Sequence, residues 1–461
     1  MAKTSPNERL ADVVRESGLS NKALARLVRD VAARHRSAIG CDHTSVSRWL
    51  GGMHPRGRTG EFLAEALSQR LGRTITLSDI GLPSESGRIA PTLGTEYSDT
   101  PEESANVLGL ILQADLSGVP EFVNAPISRN AWSTASLSWL VRPGSDQLIQ
   151  RPEGRRVGLA DVDTFRTTVA MFEGLDNQFG GGHARTALIQ YLRSDLRHLL
   201  AGRYTEDVGR RLYAEAAEST LLVAWMSYDA GRQGIAQRYF VQALRFAQAS
   251  ENVLLAGTIL DAMSHQATFM GRWREAANLA RAARSGTQGV ATATQTAHFY
   301  AMEARALAAG GDAVGTQRAL SDAVRIFERR HPGDDPDWIS YFDDSELSAE
   351  FGHCYRDIGR ADDAVTYARR ALGAPGASPR SDFFVTLVLA AGHLGQGEVE
   401  EACVAVRQAL DLGAQVKSAR CVEYLRQLRR RLEPFRSTSC VKELVDVGGA
   451  YALWAACGPR A

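Results

Sequence analysis

Lysine is nearly absent from this chain: four Lys stand against 49 Arg among 461 residues. A GC-rich coding bias produces such a split, so arginine abundance by itself says nothing about nucleic acid, and only the placement of individual arginines can be read. Cysteine is sparse too. The six, Cys41, Cys354, Cys403, Cys421, Cys440 and Cys457, never form a Cys-x-x-Cys pair, which excludes the common zinc and thiol-exchange motifs and reads as buried thiols in a reducing compartment. No apolar run approaches the ~20 residues that cross a bilayer, and the N-terminus is polar where a secretory signal would be apolar. The expected location is therefore the cytoplasm. Net charge is also missing, with 53 basic and 53 acidic residues, which excludes a uniformly basic nucleic-acid binder. With 44% hydrophobic and 23% charged residues the chain is ordinary globular protein, long enough for two or three domains.

Signals for chemistry are missing as well. The ten histidines show no metal-ligand spacing, and none sits in a nucleophile, base and orienter pattern. There is no Gly-rich phosphate loop with its Lys-Ser/Thr. Carboxylate groups such as Asp334-Asp335-Pro336-Asp337 and Asp343-Asp344 lie in loop-like sequence, where solvated charge explains them. The expectation is a protein that is not an enzyme and uses no cofactor or metal.

What the chain does contain begins at residues 42–50, Asp42-His43-Thr44-Ser45-Val46-Ser47-Arg48-Trp49-Leu50, followed by Gly51-Gly52. A short helix with polar side chains at its start and Val46, Trp49 and Leu50 turned inward is what a major-groove reader requires. Two amphipathic helices precede it: residues 7–17 carry Leu10, Val13 and Val14 at helical spacing, and Ser20 caps a helix bearing Leu24, Leu27, Val28 and Val31. After it, Met53 to Arg58 form a Pro/Gly loop, and Phe62, Leu63, Ala66, Leu67 and Leu71 mark a fourth helix ending at Gly72. Residues 1–82 hold 13 basic against 8 acidic side chains, a net of +5, and the rest of the chain is at −5. The positive charge thus gathers on this head, as salt-sensitive phosphate contacts would need.

Leu24-Ala25, Thr44 to Gly52 and Leu63 to Leu67 resemble the helix-turn-helix of the Cro/repressor class. The resemblance implies base contacts at His43, Thr44 and Arg48, with Ser47 beside them, and phosphate contacts at Arg56 and Arg58. Asp42 reads as the helix N-cap. Bland readings stand beside these: Arg48 as a solvated surface arginine, and His43 as a side chain in solvent or a cap. Val28 to Cys41 is longer than the short turn usual in that class, so either the second helix runs on or a loop is inserted.

Residues 83–104, rich in Pro, Gly, Ser and Thr, form the best boundary in the chain and read as a linker. Residues 105–205 read as a helical connecting region, with the stretch 117–160 unassigned. From 206 to 461 the pattern is repetitive. Gly231, Gly271, Gly311, Gly359 and Gly397 recur at spacings of 40, 40, 48 and 38 residues, each ending one helix before another begins. Five residues on stands Ala236, Ala276, Thr316, Ala364 or Ala402, and twelve on stands Ala243, Ala283, Ala323, Ala371 or Ala409. Small residues at these places let two antiparallel helices approach closely. The pattern resembles the tetratricopeptide repeat, most clearly at Gly352, Tyr355, Gly359, Ala364, Ala368, Ala371 and Pro375. The expected fold is all-α, a helix-turn-helix head followed by a tetratricopeptide-like α-solenoid with C-terminal capping helices; a plain helical bundle is the alternative.

One further candidate is Gly180-Gly181-Gly182 before His183 and Arg185. Free N–H groups at a helix start can hold an anion, with His183 and Arg185 as ligand-binding residues. A tight interhelical turn needing positive φ or close packing explains the same glycines.

Head and body in this order, with Trp139-Leu140, Val157-Gly158-x-x-Asp161-Val162 and the triple glycine, resemble actinomycete, Streptomyces-type transcriptional regulators. That resemblance implies control of development, sporulation or antibiotic production, often as a repressor. Its partners would be double-stranded DNA, a second copy of the chain in a homodimer reading half-sites ~34 Å apart, and a peptide, protein or small molecule at the repeats. The other class consistent with the chain is an interaction scaffold or peptide-signal receptor whose N-terminal domain is a docking module.

Overall fold

A computed structural model describes residues 6–35, 37, 39–55, 59–73, 75, 77, 79–82, 92–141, 154–373 and 378–458. The described residues are all-α, without a β-strand, and fall into two compact units, Met1–Ala90 and Pro91–Ala461. No helix among them is long and apolar enough to cross a membrane.

Among its described residues the first unit packs α1 (Glu8–Ser17), α2 (Asn21–Arg34), α3 (His43–Leu50) and α4 (Thr59–Leu71). Asn7, Ser20 and Asp42 cap α1, α2 and α3 by accepting backbone N–H bonds. Leu10, Leu24, Val28, Val31, Val46, Phe62, Leu63 and Leu67 are sealed in one core, which Ile75, Ile80 and Leu82 close from below. The long spacing between α2 and α3 has both of the expected causes. Helix α2 runs on to Arg34, and an eight-residue connection, 35–42, follows. Arg29 holds that connection by donating to the Cys41 carbonyl at 3.0 Å, and His35 stacks on Phe62.

The second unit opens with α5 (Pro101–Leu116), α6 (Pro120–Val123), α7 (Ala131–Val141) and α8 (Leu159–Phe179). A continuous helical rod follows, made of α9 (Arg185–Tyr191), a π-helical turn at Leu192–Leu196 and α10 (Arg197–Leu200). Five hairpins come next: α11 (Glu206–Asp229) with α12 (Gln233–Ala249), α13 (Val253–Phe269) with α14 (Trp273–Gly286), α15 (Ala293–Ala309) with α16 (Ala313–Phe327), α17 (Asp344–Asp357) with α18 (Ala361–Ala371), and α19 (Pro379–Gln396) with α20 (Val399–Leu412). Helices α21 (Ala419–Leu432), α22 (Ser439–Gly448) and α23 (Ala452–Ala456) close the end.

The five glycines that set the repeat sit at the hairpin turns with φ between 70° and 82°, a conformation that side chains with a Cβ adopt only under strain. Ala236, Ala276, Ala364, Ala402 and Thr316 are completely buried five residues later, where each hairpin's helices meet. The first helices of the hairpins also touch one another in sequence, α11 to α13, α15, α17, α19 and on to α21, whereas α12, α14, α16 and α18 do not to a comparable extent. A stack whose helices crowd on one side curves toward that side, so α11, α13, α15, α17, α19 and α21 form the inner layer.

The linker reading needs amendment past residue 91. Residues 92–99 are bound along α12: Arg238 donates to the Leu93 carbonyl at 2.9 Å, Gln242 to Gly94 at 3.2 Å, and Arg245 to Ser98 and Asp99 at 3.0 and 3.1 Å. A segment poor in apolar side chains is held there through its backbone.

Candidate nucleic-acid interface

Helix α3 presents two chemically opposite faces. Val46 is fully buried and Trp49 nearly so, while Leu50 is half-buried at the helix end. His43, Thr44, Ser47 and Arg48 are exposed together on the other side. The start of the helix is locked by a capping box: Asp42 accepts the Ser45 N–H at 2.8 Å, and Ser45 Oγ accepts the Asp42 N–H at 3.4 Å. Hydrogen bonds from the Thr44 hydroxyl, then from the Ser45 backbone and hydroxyl, hold the Asp42 carboxyl far below the usual carboxylate range. Asp42 is thus the cap, committed to local bonds.

Those bonds sort the exposed residues. Thr44 Oγ1 is spent on Asp42 at 2.7 Å. Ser47 Oγ donates to the His43 carbonyl at 3.1 Å and accepts from Asn21 Nδ2 at 3.1 Å, so the start of α2 is tied to the middle of α3. Among the described residues, the side chains of His43 and Arg48 make no hydrogen bond or ion pair. A fixed backbone thus lies beneath two polar side chains that are uncommitted among the described residues. Arg56 and Arg58 lie outside the described residues. Asn21 and the exposed Lys22 were missed in the sequence because they read only as the opening turn of α2. Ser20, the cap just before them, was the available signal for that position.

The glycine-rich candidate resolves into packing. A Cβ on Gly181 would stand 2.6 Å from the Met226 carbonyl oxygen, and one on Gly182 would stand 2.9 Å from that of Lys417. The Gly181 N–H is itself bound to Asp229 at 2.9 Å and that of Gly182 to Lys417 at 3.1 Å. These are close-packed turns whose donors are occupied. His183 is exposed and its ring lies tilted against Phe179, with centroids 4.7 Å apart. The ligand-binding expectation for Arg185 is corrected: its guanidinium is turned into the core, paired with Asp115 and bonded to Ser227 Oγ at 2.8 Å. Tyr239 and Arg232 complete the knot on Asp115 at 3.0 and 3.2 Å. Buried charge demands such partners, and the glycine turn could not have supplied them.

The carboxylate groups do local work as well. Asp343 caps α17, Asp344 pairs with Arg330, and Asp335 accepts from Thr294. Among the described residues, no group of His, Cys, Asp and Glu is arranged to hold a metal ion.

No curated protein matches the chain. A family described as the SP15 N-terminal domain matches residues 10–83, the span from the first turn of α1 to just past the last described residue of the head.

Proposed function

We propose that the chain is a sequence-specific, double-stranded-DNA-binding transcriptional regulator, acting as a cytoplasmic homodimer, whose repeat unit senses a ligand or partner. One observation carries the reading: α3 is rigidly capped and core-locked, and on its outer face His43 and Arg48 have no hydrogen-bond or ion-pair partner among the described residues. An arginine so placed can take a guanine edge through two parallel hydrogen bonds. Lys22 at the start of α2 and the +5 charge of residues 1–82 supply sequence-independent attraction to phosphate. Control of development, sporulation or antibiotic production is the biological setting that the resemblance to actinomycete regulators suggests.

The test is a pull-down of genomic fragments with the full-length protein at two salt concentrations, run beside Arg48→Ala. Enrichment of a few promoters, with the Arg48→Ala protein losing about 1–3 kcal/mol of sequence preference per half-site, is expected. Lys22→Ala should instead weaken all sequences alike and reduce the salt slope. Enrichment that is absent, or indifferent to Arg48→Ala, overturns the proposal in favour of a docking module on an interaction scaffold.

A further inference from the structure

The inner layer holds an arginine with one loose ion pair and no hydrogen bond to a described residue. Arg420, in the first turn of α21, rests on the rings of Tyr228 and Phe384, with its central carbon 4.6 and 4.8 Å from their centroids. Its nearest acid, Asp229, is 3.8 Å away. That acid is already engaged: one oxygen accepts from Ser418 Oγ at 2.7 Å, the other from the Gly181 N–H at 2.9 Å, and Arg380 approaches at 3.6 Å. Arg420 donates no hydrogen bond to any described residue, although its side chain is only 11% exposed and its Nε is buried. Guanidinium groups this enclosed ordinarily find acceptors.

Two nearby donor atoms also lack hydrogen bonds. Arg305 Nε and His353 Nδ1 are buried without a hydrogen-bond partner among the described residues, in residues 5% and 6% exposed. Arg305 also reaches Tyr424 at 3.4 Å, and Arg356 lies 5.5 Å from the centre of that ring. Glu350 is bound to Arg305 at 2.5 Å and Asp357 to Arg356 at 2.7 Å, while the buried Asp176 and Asp229 are shared between Arg380 and Arg420; the exposed Arg431 adds a further positive charge beside Arg356. Burial, with Arg305 and Arg356 adding to it, pushes His353 well below the ordinary histidine range, so it is neutral and adds hydrogen-bonding capacity without charge. The half-buried rings of Phe269 and Tyr424 stack within 6.3 Å and give the region an apolar floor.

We infer that the inner face around Arg420 and Tyr424 binds a small organic oxyanion, a carboxylate or phosphate carried on an aromatic or apolar body, with the anionic group held by Arg420. A planar guanidinium whose position is fixed by two rings is preorganised for bidentate recognition of that group. The inference names the ligand class for the sensing role proposed above, but it does not require the head to bind DNA.

The test is calorimetric titration and thermal unfolding of the full-length protein with four probes: inorganic phosphate, citrate, 4-hydroxybenzoate and AMP, each to about 10 mM. At least one aromatic anion is expected to bind saturably, more tightly than inorganic phosphate, and to raise the unfolding midpoint. Arg420→Gln should weaken it at least tenfold. Arg431→Gln removes an exposed charge that makes no hydrogen bond to a described residue, so folding is preserved, and should weaken binding about threefold by reducing the local field. Arg436→Gln, the same charge change on an exposed residue paired with Glu433 outside this layer, should leave affinity unchanged. No saturable binding by any probe would mean that these donors are satisfied by ordered water alone, and the inference falls. It falls equally if Arg431→Gln and Arg436→Gln behave alike. The DNA pull-down is independent of either result.

Discussion

Helices α12 and α16 occupy the same place in their hairpins, yet their surroundings are opposite. In α16 the apolar and small residues Thr316, Ala319, Leu320, Ala323 and Phe327 face inward, and Gln317, Arg318 and Ser321 face water. In α12 almost every residue is buried, including Gln237, Arg238, Gln242 and Arg245. Polar spacing along the two sequences is alike; the difference is that residues 92–141 fold over α12, where its glutamines and arginines bond to their carbonyls. Helical periodicity reports which residues are apolar, whereas the fate of the polar face depends on whether another segment brings acceptors to it.

The largest effect that tests this contrast lies in the knot beneath the cover. Asp115 on α5 is 1% exposed at its side chain and carries Arg185, Arg232 and Tyr239. Asp115→Ala leaves the buried Arg185 unpaired, and breaking such a pair costs about 3–5 kcal/mol. On α16, Asp322 pairs with the exposed Arg325, and Asp322→Ala should leave the midpoint unmoved. Chemical denaturation of the two variants measures the difference; equal losses would show that the cover adds nothing to the first hairpin.

Next comes Arg245→Ala, which removes the guanidinium donor from the carbonyls of Ser98 and Asp99 and should cost about 2–3 kcal/mol. Because the lost bonds hold residues 92–99, amide exchange there should accelerate more than elsewhere in the unit. Arg318→Ala on α16, whose side chain is in water, should fall within about 0.5 kcal/mol of the parent. A smaller effect is expected at the hairpin turns. Gly271→Ala meets no atom within 4 Å and pays only for positive φ, about 1 kcal/mol, while Gly231→Ala also presses on Ala419 Cβ at 3.0 Å and should cost more.

What could be read in the sequence follows from the same physics. The five turn glycines, the alanines behind them and the inward face of α3 were legible because each is a local requirement, a positive φ or a close approach, that admits few residue types. Residues 92–99 and 117–141 were not legible, since their partners are buried polar side chains more than a hundred positions away. Arg185 was misread for that reason: its partner, Asp115, lies 70 residues earlier, and the adjacent triple glycine suggested a ligand instead. On α3 the outward set was visible, but which members are committed was not, because the bonds from Thr44 to Asp42 and from Asn21 to Ser47 depend on rotamers and on α2.

The smallest effect concerns the other long helix of the first hairpin. Glu215 and Glu218 lie one turn apart on α11, half-buried, facing Asp163 and Glu173 on α8 and Asp337, with the cation Arg166 near both. Burial first, and then these neighbouring carboxylates, raise both to about 7. A carboxyl raised above its unfolded value of 4.5 binds more protons folded than unfolded, so its contribution is fully present below that value and is lost as pH rises toward 7. Glu218→Gln removes the charge that must be buried above neutrality. The variant should match the parent near pH 4, gain on it between pH 5 and 7, and hold a midpoint higher by a degree or two, roughly a few tenths of a kcal/mol, at pH 8. Arg166→Gln should do the reverse at pH 8, by withdrawing the cation that both glutamates share. A Glu218→Gln midpoint advantage that is constant from pH 4 to 8 would place the effect in helix propensity, and α11 would then bury its acidic side chains no differently from the solvated face of α16.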